Sequence, residues 1–327
     1  MIPTFAYARP RTLADATREL NAEGARPLAG GSDLLGCLRD GVFTATKVVA
    51  LSGLSELHGF EARPDGSLRL GALTHVSDVA ASALVRERFP VLARAAAAVA
   101  SPQLRNQGTL GGNLCQRPRC WYFRGDFHCA RKGGKSCFAQ SGKNARHAIL
   151  GGGACVMVHP SDTAPALVAL DATARLVGPR GQRTVRLGDL FVGPQKDVRR
   201  ETVLTPGELI VEVVVPRPEP GTTSTYEKVR ARGAFDFALA GAAIVIAKQG
   251  DVVGRARVVL AGVAPVPWRA AAAEKALEGR RLEPAVIEQV AAAAVAGAEP
   301  LADNGYKVDL VKGLVTRALG SLAAQPR

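Results

Sequence analysis

Aromatic residues make up only 5% of the chain, and methionine occurs twice in 327 residues. No run approaches about 18 consecutive apolar residues, which excludes a membrane-spanning helix. The opening residues Ile2-Pro3-Thr4-Phe5 carry no basic stretch ahead of an apolar core, so no secretory signal of the chain's own is expected. Acids are scarce, 29 against 42 Lys and Arg, and no internal repeat is present. With 47% hydrophobic and 22% charged residues, a disordered or fibrous chain is excluded. The length suffices for two or three domains with their own cores.

The formal net charge of +13 invites a nucleic-acid reading, but it is unevenly placed. Between Cys115 and His147 lie Arg117, Arg119, Arg124, Arg131, Lys132, Lys135, Lys143 and Arg146 against the single acid Asp126, a local excess of +7. Cysteine is concentrated in the same place. Cys37 stands apart, whereas Cys115, Cys120, Cys129, Cys137 and Cys155 follow one another closely. A disulfide framework belongs to short secreted chains with little core, so metal binding is the better expectation here.

Along the chain, Thr12-x-x-Asp15 opens a capped helix through Leu20, and strands are expected at 26–29, 47–51 and 67–73. Ser77-Asp78 is read as the start of one long Ala-rich helix to about Ala100, followed by a glycine-rich loop from Ser101 to Cys115. A strand at 154–158, a helix from Ser161-Asp162 to about Asp171, a hairpin over 174–187 and a strand at 208–215 follow. Pro216, Pro218 and Pro220 mark a linker. Beyond it, three strands (223–232, 237–248, 252–263) and three helices (269–277, 284–296, 308–322) indicate an α+β layer domain.

Two glycine-rich segments carry chemistry. In Leu28-Ala29-Gly30-Gly31-Ser32-Asp33-Leu34-Leu35, two residues without Cβ let backbone amides approach an anion, and Ser32 adds a hydroxyl. It has neither the Gly-Lys-Ser/Thr of a nucleotide loop nor a Gly-x-Gly-x-x-Gly fingerprint. Alone it reads equally as a tight turn. Arg105 to Leu114 is the second, with Gly108, Thr109, Leu110, Gly111, Gly112 and Asn113; two such loops suit a long ligand with a pyrophosphate in its middle.

These loops, with Ser161-Asp162-Thr163-Ala164-Pro165-Ala166-Leu167 and Tyr226-Glu227-Lys228-Val229-Arg230, resemble the FAD-binding medium subunit of the molybdenum hydroxylases, the xanthine oxidase and carbon monoxide dehydrogenase family. The resemblance implies an α+β chain: a two-part FAD-binding domain of the vanillyl-alcohol-oxidase type over 1–57 and 58–218, then a C-terminal three-stranded sheet with helices over 222–327. It implies that Leu28, Ala29, Gly30, Gly31, Ser32, Asp33 and Leu34 hold the FAD pyrophosphate. Gly108, Thr109, Leu110, Gly111, Gly112 and Asn113 would line the cofactor, with Thr74 and Ser101 close by. Asp162 would accept from flavin-chain hydroxyls and Lys228 would lie near the isoalloxazine edge. The residues alone leave Asp162 open as a helix cap and Lys228 as an exposed strand lysine.

The insert at about 115–155 is unusual for that family. Its spacing, Cys115-x4-Cys120-x8-Cys129-x7-Cys137-x17-Cys155, lacks the two tight pairs common in structural zinc sites and fits a loop wrapped around a [4Fe–4S] cube. The eight basic side chains would offset a buried anionic cluster, and Trp121, Tyr122, Phe123, Phe127 and Phe138 would shield it. Asn113 to Arg124, and Arg146 to Gly151 ahead of Cys155, are similar to the flavin–iron–sulfur subunit of bacterial periplasmic aldehyde oxidoreductases, more than to that of 4-hydroxybenzoyl-CoA reductase. Carried over, the ligands are Cys120, Cys129, Cys137 and Cys155. Cys115 is then a spare, read as a free buried thiol beside the FAD loop with replacement of one of the four as the alternative, and Cys37 is core filler.

The resemblance implies an electron-transfer subunit with no catalytic side chain. A large molybdenum-cofactor subunit would oxidise an aldehyde, and a small subunit with two [2Fe–2S] clusters would deliver electrons to FAD and an external acceptor. The alternative within the family is a 4-hydroxybenzoyl-CoA reductase beta subunit with reversed flow. The alternative of another class is a basic zinc- and nucleic-acid-binding protein, which leaves both glycine loops idle. Export together with a twin-arginine-tagged partner would make the protein periplasmic; otherwise it is cytoplasmic.

Overall fold

A computed structural model describes residues 2–324, arranged around three sheets. The first is small and parallel: β1 (Ala6–Ala8) and β2 (Ala25–Leu28) flank β3 (Lys47–Ala50). Parallel strands need a crossover, and the helix Leu13–Leu20 provides it between β1 and β2. Its start follows the local chemistry: Thr12 Oγ1 accepts from the Asp15 amide at 3.1 Å. Ala16 and Leu20 then bury their side chains in one cluster with Val49, Leu54 and Val211.

The second sheet contains β4 (Phe60–Ala62), β5 (Leu68–Gly71), β6 (Thr173–Gly178), β7 (Gly181–Arg186) and β8 (Leu209–Val215), all antiparallel, in the order β4-β5-β8-β6-β7. The hairpin β6–β7 turns at Pro179-Arg180 as expected. The long helix expected over 77–100 is instead three short ones, Val76–Ala81, Ala83–Arg88 and Pro90–Ala97. Ser82 interrupts the first and recaps the second, accepting from the Val85 amide at 3.3 Å. Pro90 cannot supply the amide that would continue a helix across it. The expected loop 101–115 holds two short helices, Pro102–Gln107 and Leu110–Leu114, whose caps are Ser101 and Thr109. Residues 154–158, expected as a strand, join no sheet; they follow three glycines, and the Val156 carbonyl is taken by the Ala148 amide.

The third sheet is the expected meander, β9 (Thr222–Val229), β10 (Ala240–Gln249) and β11 (Val252–Ala261), extended by a short β12 (Trp268–Arg269). Helices Ala271–Leu277, Pro284–Ala294 and Tyr306–Ala323 bury one face of it through Ile244, Val258, Val290 and Leu319. On the other face Tyr226, Ala243 and Val259 join the largest core, with Phe89, Leu92 and Leu167. The sheet is therefore apolar on both sides. Among the described residues no helix is long and apolar enough to cross a membrane.

Two polar anchors hold this frame. Lys307 is wholly buried, and its Nζ donates to the carbonyls of His147 (3.0 Å) and Gly262 (2.8 Å), tying the end of the cysteine insert to the third sheet. Glu212, buried on β8, receives Arg69 at 2.7 Å with Arg63 and Arg175 at 3.2 Å. Burial pushes its carboxyl up, but Arg175 and Arg69 outweigh this and hold it at about 2. A depressed carboxyl stabilises the fold above its unfolded pKa and loses that contribution as pH falls through the folded value. Glu212→Gln is expected to lower unfolding free energy by about 2–3 kcal/mol at pH 7. The gap from wild type should shrink as pH falls from about 4.5 towards 2, measured by denaturant titration at each pH.

Candidate cofactor cavity and cysteine pocket

Where the three sheets face one another the chain encloses a cavity of about 550 Å³, within the range of small-molecule sites. Ala29, Gly30, Gly31, Ser32, Asp33 and Leu34 form one wall. Gly31 takes the left-handed φ of +72°. An added Cβ on Gly30 would fall 2.0 Å from the Gln107 carbonyl oxygen, so the two glycine-rich segments touch here, and Gln107 Nε2 donates to the Gly30 carbonyl at 3.1 Å. Among the described residues the amides of Gly30, Gly31, Ser32 and Asp33 have no hydrogen-bond partner, a set of donors aimed together as an anion cradle requires.

The second wall, Gly108, Thr109, Gly111, Gly112 and Asn113, is built differently. Its amides are largely spent within the protein: Gly111 on Ala72 (2.8 Å), Gly112 on Thr109 Oγ1 (3.2 Å) and Asn113 on the Thr109 carbonyl (2.8 Å). Gly111 serves close packing, because a Cβ there would meet Ala72 at 3.0 Å. Asn113 is fixed by Ser161 and Thr163, whose hydroxyls donate to its Oδ1 at 2.5 and 2.7 Å.

Asp162 and Lys228 both line the cavity, paired at 2.7 Å, and Tyr226 donates to the same carboxylate at 2.7 Å. Burial pushes the Asp162 carboxyl up, opposed by Lys228. Asp162 heads the helix Thr163–Ala169 without capping it; the Ala164 amide goes to Ser161 Oγ at 3.0 Å. Lys228 is no exposed strand lysine, since its Nζ also donates to the Ala98 carbonyl at 3.0 Å.

Four of the expected residues do not reach the cavity wall. Thr74 is buried with its hydroxyl on the Gly59 carbonyl (2.7 Å), Ser101 caps a helix, and Leu28 and Leu110 face apolar cores. The wall contains others that sequence reading passed over: Arg26, Phe43, Arg117, Arg119, Phe235 and Phe237. Arg26 and Arg117 both lie over the Phe43 ring, and Arg119 over Phe237, at about 5 Å. Phe235 is held with a positive φ, its amide on the carbonyl of Ala100, itself left-handed.

A separate small pocket gathers Cys120, Cys129, Cys137 and Cys155. Tyr122, Phe123, Phe138, Ala130, Ala154 and Met157 surround the sulfurs, with Arg131 the one charged residue on the wall. Trp121 and Phe127, expected to shield the site, are half-exposed and do not line it. Burial pushes the Cys120 thiol up to about 11, whereas a hydrogen bond from Cys155 outweighs burial at Cys137 and holds it at about 6. No three His, Cys, Asp or Glu side chains among the described residues converge as ligands of one ion do. Cys115 lies on the larger cavity, its thiol pushed up to about 12 by burial, and Cys37 is fully buried.

The basic residues of the insert are not all turned to the cysteines. Arg124 and Arg119 pair with Asp33 Oδ1 at 2.6 and 3.0 Å, and the Arg117 amide donates to Asp33 Oδ2 at 2.7 Å. Arg117 and Arg131 both reach Glu201, at 2.9 and 2.8 Å, and Lys132 donates to the Gly125 carbonyl. The expectation that all eight cations offset the charge of the cysteine site is corrected: four of them, Arg117, Arg119, Arg124 and Arg131, pair with two carboxylates outside the insert.

Residues 3–218 match the FAD binding domain in molybdopterin dehydrogenase, and residues 224–322 match the CO dehydrogenase flavoprotein C-terminal domain. The chain belongs to the FAD-binding medium subunits of the molybdenum hydroxylases. This medium subunit is 40% identical to the FAD-binding subunit of Escherichia coli aldehyde oxidoreductase, over 99% of its own length and 98% of the relative's. It is 30% identical to the carbon monoxide dehydrogenase medium chain of Hydrogenophaga pseudoflava, again over 99% and 98%. The solved structure of carbon monoxide dehydrogenase from that organism superposes with a TM-score of 0.79 over 98% of this chain and 97% of the other. That of Oligotropha carboxidovorans gives 0.80 at 26% identity over the whole of both chains.

FAD fits what the cavity offers: unbonded amides for a pyrophosphate, room, and arginines and rings along the wall. Gly30→Ala should force the loops apart at Gln107. The purified medium subunit should then retain at least about tenfold less flavin, read from visible absorbance per chain, with its far-ultraviolet circular dichroism unchanged.

Proposed function

We propose that this medium subunit carries a [4Fe–4S] cluster on Cys120, Cys129, Cys137 and Cys155 beside its FAD, and serves an enzyme that oxidises aldehydes to carboxylic acids. The observation that carries the first part is the meeting of four cysteines, from four separate stretches of the insert, in one pocket with apolar and aromatic walls. Four cysteine thiols at unequal sequence spacing within one apolar lining suit an iron–sulfur centre. The aldehyde assignment is supported by the 40% identity to an aldehyde oxidoreductase subunit along the full chain.

In this reading Gly30 to Asp33 bind the FAD pyrophosphate through their amides. Gly108, Thr109, Gly111, Gly112 and Asn113 shape the facing wall. Asp162 holds Lys228 at the cavity, so the lysine is positioned by a buried partner. When bound, FAD supplies exchange between one- and two-electron transfer, and the cluster supplies a one-electron store. The chain's own work is to hold both, exclude water from the cysteine pocket, and dock its partners: a large molybdenum-cofactor subunit, a small subunit with two [2Fe–2S] clusters, and an external acceptor. No side chain of this subunit serves as acid, base or nucleophile.

The test is chemical analysis of the anaerobically purified complex, with flavin, iron, acid-labile sulfide and zinc measured on the separated medium subunit. FAD with about four iron and four sulfide per chain is expected. Cys129→Ser should lose the iron and sulfide and keep the flavin. Zinc without sulfide would reduce the pocket to a structural clip. Aldehyde-driven bleaching of the flavin in the whole complex checks the substrate class, and its absence with every aldehyde tried would remove that part of the proposal.

A further inference from the structure

The cysteine pocket has two buried nitrogen donors whose surroundings leave them little else to do. Arg131 is 1% exposed at its side chain. Its Nη1 is spent on Glu201 Oε1 (2.8 Å) and the Arg200 carbonyl (3.2 Å), while Nε and Nη2 are buried and among the described residues meet no oxygen or nitrogen acceptor. The guanidinium lies on the pocket wall with Cys155. His147 is equally enclosed, with Nε2 3.2 Å from Cys120 Sγ and Nδ1 buried and unpartnered. Lys307 and Asn304 fix its position by donating to its carbonyl at 3.0 and 3.3 Å.

We infer that Arg131 and His147 set the reduction potential of the centre held by the four cysteines, by donating hydrogen bonds to the ligand sulfurs of Cys155 and Cys120. The inference rests on the cluster reading above. A ligand thiolate can only accept, so the imidazole facing Cys120 must present Nε2–H to it. Arg131 is charged at every accessible pH and offers its remaining donors in a fixed fork. Donors to a cluster's sulfurs draw charge from them and favour the more negative, reduced state, which raises the potential. Arg117, Arg119, Arg124 and Lys132 are committed elsewhere, whereas Arg131 lies on the pocket wall. They are positioning residues for the centre, not catalytic ones.

The test is a redox titration of the holo-complex followed by electron paramagnetic resonance, with iron and sulfide measured on the same samples. His147→Leu and Arg131→Met are expected to keep wild-type iron and to show lowered midpoint potentials. His147→Gln retains an amide donor and should stay near the wild-type potential. Unchanged potentials in both apolar variants at full iron content would overturn the inference. Should an apolar variant fail to assemble the centre, its conservative partner decides. A centre restored in His147→Gln, or in Arg131→Lys at a lowered potential, supports the donor role, whereas loss of iron there too makes the residue structural and overturns it. Wild-type protein with no iron or sulfide fails the cluster reading itself, a result distinct from the others.

Discussion

Asp33 is the point on which the two candidate cofactor sites depend jointly. Its carboxylate lies in the first glycine loop, one residue ahead of the helix Leu34–Arg39, and there it meets the start of the cysteine insert. One oxygen receives Arg124 and Arg119, and the other the amide of Arg117, 84 residues along the chain. Removing this carboxylate would leave the Arg117 amide without an acceptor and two partly buried guanidinia without their counter-charge, the costly way to break an ion pair. The loop with free amides and the segment leading to Cys120 are therefore placed relative to each other by one side chain. Phe123 and Cys129 pack on Cys37 and Val42 just beyond it, so apolar contact continues the same join towards the cysteine pocket.

The charge of the insert takes its meaning from this arrangement. A local excess of +7 suggests a surface for phosphates when read as a string of letters. In the fold, Arg117, Arg119, Arg124 and Arg131 turn inward to Asp33 and Glu201, and guanidinia that are already paired are not a groove-facing stripe. The basic–nucleic-acid alternative thereby loses half of the insert's cations on which it drew. Glu201 has a further consequence. By engaging only Nη1 of Arg131, it orients the guanidinium and leaves the other nitrogens in the pocket.

What could be read in advance follows the range of the interactions. The Thr12 cap, the turn at Pro179-Arg180 and the three-stranded meander depend on neighbours in sequence, and all were legible. The breaks at Ser82 and Pro90 were written in the chain as well, but an uninterrupted alanine-rich pattern outweighed them. The gathering of Cys120, Cys129, Cys137 and Cys155 was visible as composition. The partners of the arginines were not, because they are carboxylates far away in the chain. Thr74 and Ser101 illustrate the same limit: a hydroxyl near a glycine loop suggests a ligand contact, yet a free carbonyl at Gly59 and an uncapped helix claim these two first.

The two glycine loops looked alike as sequence and divide the work between them in three dimensions. One keeps its amides free and the other spends most of its own, among them those of Gly111, Gly112 and Asn113 on Ala72 and Thr109, so the first has more donors to offer an anion. They meet where Gly30 faces the Gln107 carbonyl, and that contact is possible only without a side chain. The third sheet adds Lys228, Phe235 and Phe237 to the same cavity. Since each wall comes from a different part of the chain, a cofactor bound there touches all of them at once. A ligand that binds only the assembled state stabilises it by mass action, so a flavin held there would link its occupancy to the mutual docking of the three sheets.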